Sequence, residues 1–331
     1  MKLKRILSVL LILCLAVMGA AVAEGSFPVT VTDAAGREIV IEDMPEKLVS
    51  GYYISTSVLI ALGMKDKLVG IEAKADSRPI YALAAPELID LPNVGTAKAF
   101  DLEGCAALEP DLVVLPLKLR SEVEALEDLG IDVLLVNPED LSLLKDTVAM
   151  LAAATGADGG ALLEFCAEKE AFLTGLMADA ERPSVYLAGN SSYLMTAGEA
   201  MYQNTLIQLG GGANVASEIE DNYWAEISYE QLLAWNPEVI VIAAEAEYAK
   251  DELLADAQLQ AVDAVANGRV YAMPDSIEAW DSPVPGALLG SLWMANALHA
   301  DLYSRDQFAS DAAGFYAQFY GIEIDESLLS E

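Results

Sequence analysis

The sequence predicts an α/β protein of two lobes with mostly parallel sheets, joined by one long backbone helix. Three observations carry this. Short apolar, β-branched runs alternate with stretches long enough for a helix, the pattern of βαβ units. One long stretch at helical spacing separates the first group of runs from the second. A helix–proline–strand unit occurs once on each side of it. Each lobe is therefore expected to be Rossmann-like, with helices covering both faces of its sheet.

Taken in order, residues 1–23 read as a signal peptide. Lys2, Lys4 and Arg5 precede an apolar run from 6 to 18, and Ala21-Val22-Ala23 supplies a small-x-small cleavage pattern near Ala23. The run is shorter than the ~20 residues a membrane span needs. Cys14 follows Leu13 inside the run, so lipid attachment there is not expected. The first lobe, 24–157, carries strand runs at 47–50, 68–71, 112–115 and 133–136. The connecting helix is expected within 158–181, opened by Asp158-Gly-Gly and closed before Pro183. Its apolar positions are Leu162, Phe165, Cys166, Phe172, Leu173, Leu176 and Met177. A helix over 158–180 would be ~34 Å long and would restrict hinge motion between lobes. The second lobe, 182–331, repeats the theme at 184–188, 239–242 and 269–273, and ends in a helical pattern over 288–302.

Composition removes several function classes. The chain has 331 residues, 18 Lys and Arg against 52 Asp and Glu, and a net charge of −34. Loss of residues 1–23 removes three positive charges and no negative one, so the mature chain carries −37. Nucleic-acid binding needs clustered cations and is excluded. An apolar content of 54% excludes disorder. Three cysteines supply neither a disulfide framework nor a four-thiolate site, and Cys105 and Cys166 read as core residues. One histidine, His299, does not make a metal centre and reads as structural. The chain has no Walker loop, dinucleotide glycine fingerprint or Gly-x-Ser-x-Gly elbow, so no catalytic residues, resident cofactor or metal are expected. Gly210-Gly-Gly reads as a helix end and turn.

The internal repeat aligns EGCAALEPDLVVL (103–115) with EQLLAWNPEVIVI (230–242). In each, a glutamate stands near a helix start, where the dipole favours negative charge, and a proline leads into a strand. Position alone accounts for both glutamates as ordinary first-turn acids.

Seven landmarks then give a resemblance: VTDAAGREIVI (31–41), VGTAKAFDLE (94–103), PDLVV (110–114), GGGANV (210–215), ISYEQL (227–232), NPEVI (236–240) and NGRVY (267–271). In this order, over about residues 27–305, they resemble the helical-backbone (class III) substrate-binding proteins of ABC importers, which deliver iron–siderophore complexes, haem and cobalamin. The resemblance implies an extracytoplasmic, monomeric, non-enzymatic carrier with a ligand cleft between its lobes. It also implies that Glu103 and Glu230, one per lobe, dock into arginine pockets on the permease dimer.

Ligands of such sheets bind at loops beyond the carboxyl ends of strands. In the first lobe those loops hold Tyr52, Tyr53, Lys74, Arg78, Lys98, Phe100, Lys118 and Arg120. Five cations against this acidic background predict an anionic ligand. The second lobe offers aromatic surfaces at Tyr193, Tyr202, Tyr223-Trp224 and Trp280, whereas Trp235 and Trp293 lie in apolar helical patterns and read as core. The expected cargo is an anionic ferric–siderophore complex. Cobalamin or another corrinoid is the alternative, with molybdate, tungstate or haem behind them.

Overall fold

The computed structural model describes residues 27–220 and 223–330; the expected signal peptide and Cys14 lie outside the described residues. In the first lobe the strands are β1 (Val29–Thr32), β2 (Glu38–Ile41), β3 (Leu48–Ser50), β4 (Leu68–Gly70), β5 (Gly95–Thr96), β6 (Ala99–Phe100), β7 (Leu112–Pro116) and β8 (Asp132–Val136). Its helices are α1 (Tyr53–Ala61), α2 (Pro79–Ala84), α3 (Leu102–Ala107), α4 (Val123–Glu127) and α5 (Leu141–Thr155). Then comes α6 (Gly160–Leu176). The second lobe has β9 (Ser184–Ala188), β10 (Met195–Thr196), β11 (Ala213–Asn214), β12 (Ala225–Glu226), β13 (Val239–Ile242) and β14 (Val270–Ala272). Around them lie α7 (Tyr202–Leu209), α8 (Tyr229–Trp235), α9 (Lys250–Ala255), α10 (Asp263–Ala266), α11 (Ala287–Leu298) and α12 (Arg305–Phe319).

Two parallel four-stranded sheets have the same topology. The first is ordered β4-β3-β7-β8 and the second β11-β9-β13-β14. In each, the chain starts at an inner strand, pairs the next sheet strand outside it, then crosses to the other side. The predicted strand runs fall on β3, β4, β7, β8, β9, β13 and β14. They were visible because β7 and β13 are buried at every residue, as strands covered on both faces must be.

Alternation along these strands sorts the core into layers. Leu112, Val114, Leu134 and Val136 face the inner layer of the first lobe, as Val185, Leu187, Val239 and Val241 do in the second. Their neighbours Val113, Leu115, Val133 and Leu135 fill an outer layer, mirrored by Tyr186, Ile240 and Ile242. The two inner layers form one continuous cluster through α6, whose Leu162, Cys166 and Leu173 are buried. This helix packs against α5 on one side and α7 and α11 on the other. Phe165 meets Phe315 and Phe319 of α12 at ring distances of 5.0 and 5.8 Å.

α6 is shorter than the sequence suggests. It has 17 residues, about 26 Å at the helical rise, instead of the whole of 158–180. Asp158 spends its side chain on the amide of Gly160 at 2.8 Å, so the helix starts two residues late. At the other end Met177 closes the last turn, before the acidic approach to Pro183. Sequence periodicity also missed the short antiparallel ladders β1–β2, β5–β6 and β10–β12, and the two-residue β11. The pairings of β5–β6, β10–β12 and β11 are two residues long, too short to carry a period, and β1 and β2 have four residues each.

Cys105 and Cys166 are buried free thiols, and burial pushes both up to about 12. His299 is buried, with Nε2 3.1 Å from the Gly211 carbonyl oxygen. Gly211 has φ of +85°, and a Cβ there would lie 2.6 Å from that same nitrogen. Gly210–Gly212 is thus the turn from α7 into β11.

Two carboxylates are buried in the loop before α11. Glu278 accepts hydrogen bonds from Tyr320 at 2.9 Å and Tyr316 at 3.1 Å, and desolvation pushes it up to about 7. Asp281 accepts from the Ala244 amide at 3.1 Å and is likewise pushed up to about 7 by burial. Raised folded pKa values mean that the native state binds more protons than the unfolded chain between the ordinary carboxylate range and 7. Stability therefore falls as pH rises through that window, by on the order of 3 kcal/mol for a shift of this size. Thermal unfolding followed by circular dichroism should give a higher Tm near pH 5 than near pH 7.5, and Glu278→Gln should reduce that difference, since it removes one of the raised carboxylates. An unchanged difference in the variant contradicts the assignment.

Candidate ligand cleft

Gly51 turns the chain from β3 into α1, and a Cβ there would lie 2.7 Å from Leu115 Cδ2. This close approach places Tyr52 and Tyr53 beyond the carboxyl end of the sheet. Their rings meet edge to face at 5.1 Å. A buried hydroxyl network fixes the turn beneath them. The Tyr52 carbonyl oxygen accepts from Ser55 Oγ at 2.8 Å and Ser50 Oγ at 3.1 Å. Thr56 Oγ1 donates to the buried Glu72 at 2.6 Å, and the Tyr81 hydroxyl lies 2.7 Å from Glu72 and 3.2 Å from the Tyr53 carbonyl oxygen. Burial pushes the Glu72 carboxyl up, while the Thr56 and Tyr81 hydroxyls oppose that shift.

Above this floor is a cavity of about 510 Å³ between the lobes. The first lobe contributes Tyr52, Tyr53 and Ile54 after β3, Lys118 after β7, and Asn137 and Glu139 after β8. The second contributes Ala200, Met201, Tyr202 and Gln203 around the start of α7, with Tyr223, Ser282 and Pro283. Tyr223 is 73% exposed and stands at the mouth. Tyr202 is buried and donates its hydroxyl to the Ala287 carbonyl at 2.7 Å, so it presents only part of its ring. Lining charge is balanced, one Lys118 against one Glu139. Among the described residues no group of three His, Cys, Asp or Glu could hold a metal ion.

Of the residues the sequence nominated, Tyr52, Tyr53, Lys118, Tyr202 and Tyr223 meet at this cavity. Arg78 does not reach it. Its Nη1 lies 3.3 Å from Glu245 Oε1 of the other lobe, and its guanidinium stacks 4.2 Å from the Tyr53 ring centroid. Lys74, Lys98 and Arg120 are exposed and line none of the cavity, Lys74 with a left-handed φ of 68° and Lys98 in the β5–β6 turn. Phe100 packs against the outer core of the first lobe. Tyr193 is tied to Asp256 at 2.8 Å and packs on Tyr248 at 5.4 Å. Trp224 is half-buried against the core.

Trp280 requires a correction. It is 1% exposed, donates Nε1 to the Tyr316 hydroxyl at 2.8 Å and packs on Phe308 at 5.7 Å. The polar composition of 276–285 suggests a surface loop, but the loop turns inward and its acids are themselves buried. Asn137, Glu139, Gln203 and Ser282 also line the cavity, and as neutral polar or acidic side chains they stand out less in the loop sequences than cations and aromatics do. Asn137-Pro-Glu139 follows an apolar strand run directly, and that position was the available signal.

The repeated unit is equivalent in three dimensions. Asp101 caps α3 by accepting from the Gly104 amide at 2.9 Å, and Ser228 caps α8 by accepting from Gln231 at 3.2 Å. Glu103 and Glu230 are each the second residue of their helix, and both are exposed. The amide at the helix start and Ser228 hold the Glu230 carboxyl below its usual range. Glu109 and Asn236 take left-handed φ values of 49° and 43° immediately before Pro110 and Pro237, and lead into the equivalent strands β7 and β13.

Relatives share this architecture. The molybdate-binding protein MolA of Haemophilus influenzae is 25% identical, over 88% of this chain and 90% of its own. A cobalamin-binding protein of Halobacterium salinarum is 25% identical over 83% of this chain and 75% of its own. A crystal structure of a periplasmic solute binding protein from Veillonella parvula superposes with a TM-score of 0.79 at 23% identity, covering 91% of this chain and 95% of that one. These relatives are substrate-binding proteins rather than enzymes. Residues 48–277 match the family described as periplasmic binding protein, and the chain belongs to that family.

Proposed function

We propose that the chain is the exported, monomeric substrate-binding component of an ABC importer. On this reading it captures a metal chelate between its lobes and hands it to a permease dimer. Export would follow cleavage near Ala23, without lipid at Cys14. The observation that carries the ligand class is the cavity itself: about 510 Å³, tyrosine on both walls, and one cation balanced by one anion. Tyrosine faces offer wide apolar contact with a hydrogen-bonding rim, suited to a large, flat, metal-bearing ring. A corrinoid fits this lining better than the anionic ferric siderophore expected from the sequence, because only Lys118 of the five rim cations lines the cavity. The similarity to a cobalamin-binding protein agrees with this reading, while the equal identity to the molybdate-binding MolA favours the oxyanion. A bare oxyanion such as molybdate would meet no surplus of positive charge in this lining. Haem would need a tyrosine as its axial ligand. Lys118 at the cavity wall is the one feature that favours a ferric siderophore as a second reading.

Glu103 and Glu230 are the proposed permease contacts. Two exposed carboxylates on equivalent helix starts form a pair that arginine can receive by charge-assisted, bidentate hydrogen bonds.

Isothermal titration calorimetry with cyanocobalamin, a ferric tris-catecholate and molybdate tests the ligand class. Saturable binding of cyanocobalamin is expected. Tyr223→Ala should weaken it about fivefold, the worth of one aromatic contact, and leave Tm unchanged. Binding of molybdate with no response to cyanocobalamin would overturn the reading. For docking, the double variant Glu103→Arg with Glu230→Arg should abolish uptake by the reconstituted importer and keep ligand affinity. Loss of affinity in that variant would show a folding role instead.

A further inference from the structure

Arg78 lies against Tyr53 beside the cleft without lining it. Tyr53 lines the large cavity and also a narrow slot of about 20 Å³, shared by Arg78 and Glu245. One aromatic ring therefore separates the guanidinium from the ligand space. The field of Arg78 crosses that ring, since it lowers the hydroxyl pKa of both Tyr52 and Tyr53 against the effect of burial. Asp281 and Glu245 act on Tyr53 with the opposite sign. Arg78 and these acids thus act on the same wall of the cavity.

Glu245 reaches its position by an unusual backbone. It sits just beyond β13 with φ of 55°, in the left-handed region that glycine adopts without strain. Two carboxylates hold it there. Asp275 accepts from the Glu245 amide at 3.0 Å, and the buried Asp281 accepts from the preceding amide of Ala244 at 3.1 Å. A strained backbone held on both sides presents one acidic side chain to one arginine of the other lobe, at 3.3 Å. The side chains of the pair are 28% and 47% exposed, so solvent screens it and it grips the lobes weakly. Its larger consequence is where it leaves charge.

We infer that Glu245 is a specificity-determining residue: by pairing with Arg78 across the lobes it withholds the guanidinium from the cleft and disfavours chelates of net negative charge. This rests on the reading of the cavity as a metal-chelate site. Without Glu245 the guanidinium behind Tyr53 loses its ion-pair partner, and that wall of the cleft becomes more positive. The contact is a form of selection by withheld attraction rather than by clash.

Calorimetry on wild type, Glu245→Gln and the double variant Arg78→Gln with Glu245→Gln tests this, with a ferric tris-catecholate as the anionic probe and cyanocobalamin as the uncharged one. Glu245→Gln keeps the side chain's length and removes its charge. Its affinity for the ferric probe should rise about fivefold over wild type at low salt, as one partly screened charge allows, and the gain should shrink as salt is added. The double variant should lose the gain. A ferric-probe affinity in Glu245→Gln within twofold of wild type, no binding of that probe by Glu245→Gln, or a gain that survives in the double variant would each overturn the inference. Cyanocobalamin reports separately on the proposed ligand class: its failure to bind wild type rejects the corrinoid reading, while the ferric-probe comparison still decides the role of Glu245.

Discussion

The structure depends on one packing constraint, the burial of a single apolar stripe of α6 against the cores of both lobes. Parallel sheets expose apolar rows on two sides, so each lobe needs helices on both faces. Along α6 the inner layer of the first lobe meets the inner layer of the second, through Leu162, Cys166 and Leu173, without a break in the core. Two lobes that share a core cannot swing independently in the way that lobes on flexible linkers can. The cleft between them is therefore set by the register of α6 against α5, α7 and α11. Ion pairs at its flanks, Lys145 with Glu170 at 2.6 Å and Lys169 with Asp311 at 2.8 Å, are secondary to this apolar contact.

Duplication of one βα plan then explains why the functional features come in pairs. The same sheet order in both lobes brings two sets of loops face to face, and two capped helices set an acid at the same helical position. The cleft departs from this symmetry. Its first-lobe wall stands on a buried hydroxyl and carboxylate network centred on Glu72, whereas its second-lobe wall is braced by Tyr202 and Gln203, which bond to carbonyls of the 281–287 segment. Rigid floors under both walls favour a ligand that presents large rigid surfaces.

Much of the scaffold was legible in the sequence, because strands buried on both faces leave uninterrupted apolar runs. The repeat around Pro110 and Pro237 was legible for the same reason, with the prolines marking where helix gives way to strand. The cleft was less so. Sequence spacing identifies a loop but not the side of the loop from which a residue points, so Lys98 and Arg120 looked equivalent to Lys118. Arg78 is neutralised by a partner 167 positions away, which no local pattern shows. Trp280 sits in polar company that suggests exposure, yet that company includes Glu278 and Asp281, whose burial follows from tyrosine hydroxyls and a backbone amide supplied by distant elements. A chain of net charge −34 still arranges a cleft whose lining charges cancel.

The interlobe cleft is proposed to carry a metal chelate. Native mass spectrometry of the protein purified from its own host, kept folded and unexchanged, addresses it most directly. The account predicts a one-to-one complex whose added mass and isotope pattern contain both a metal and an organic ligand. A complex with a bare oxyanion, or with a metal-free solute such as a peptide or sugar, would contradict it.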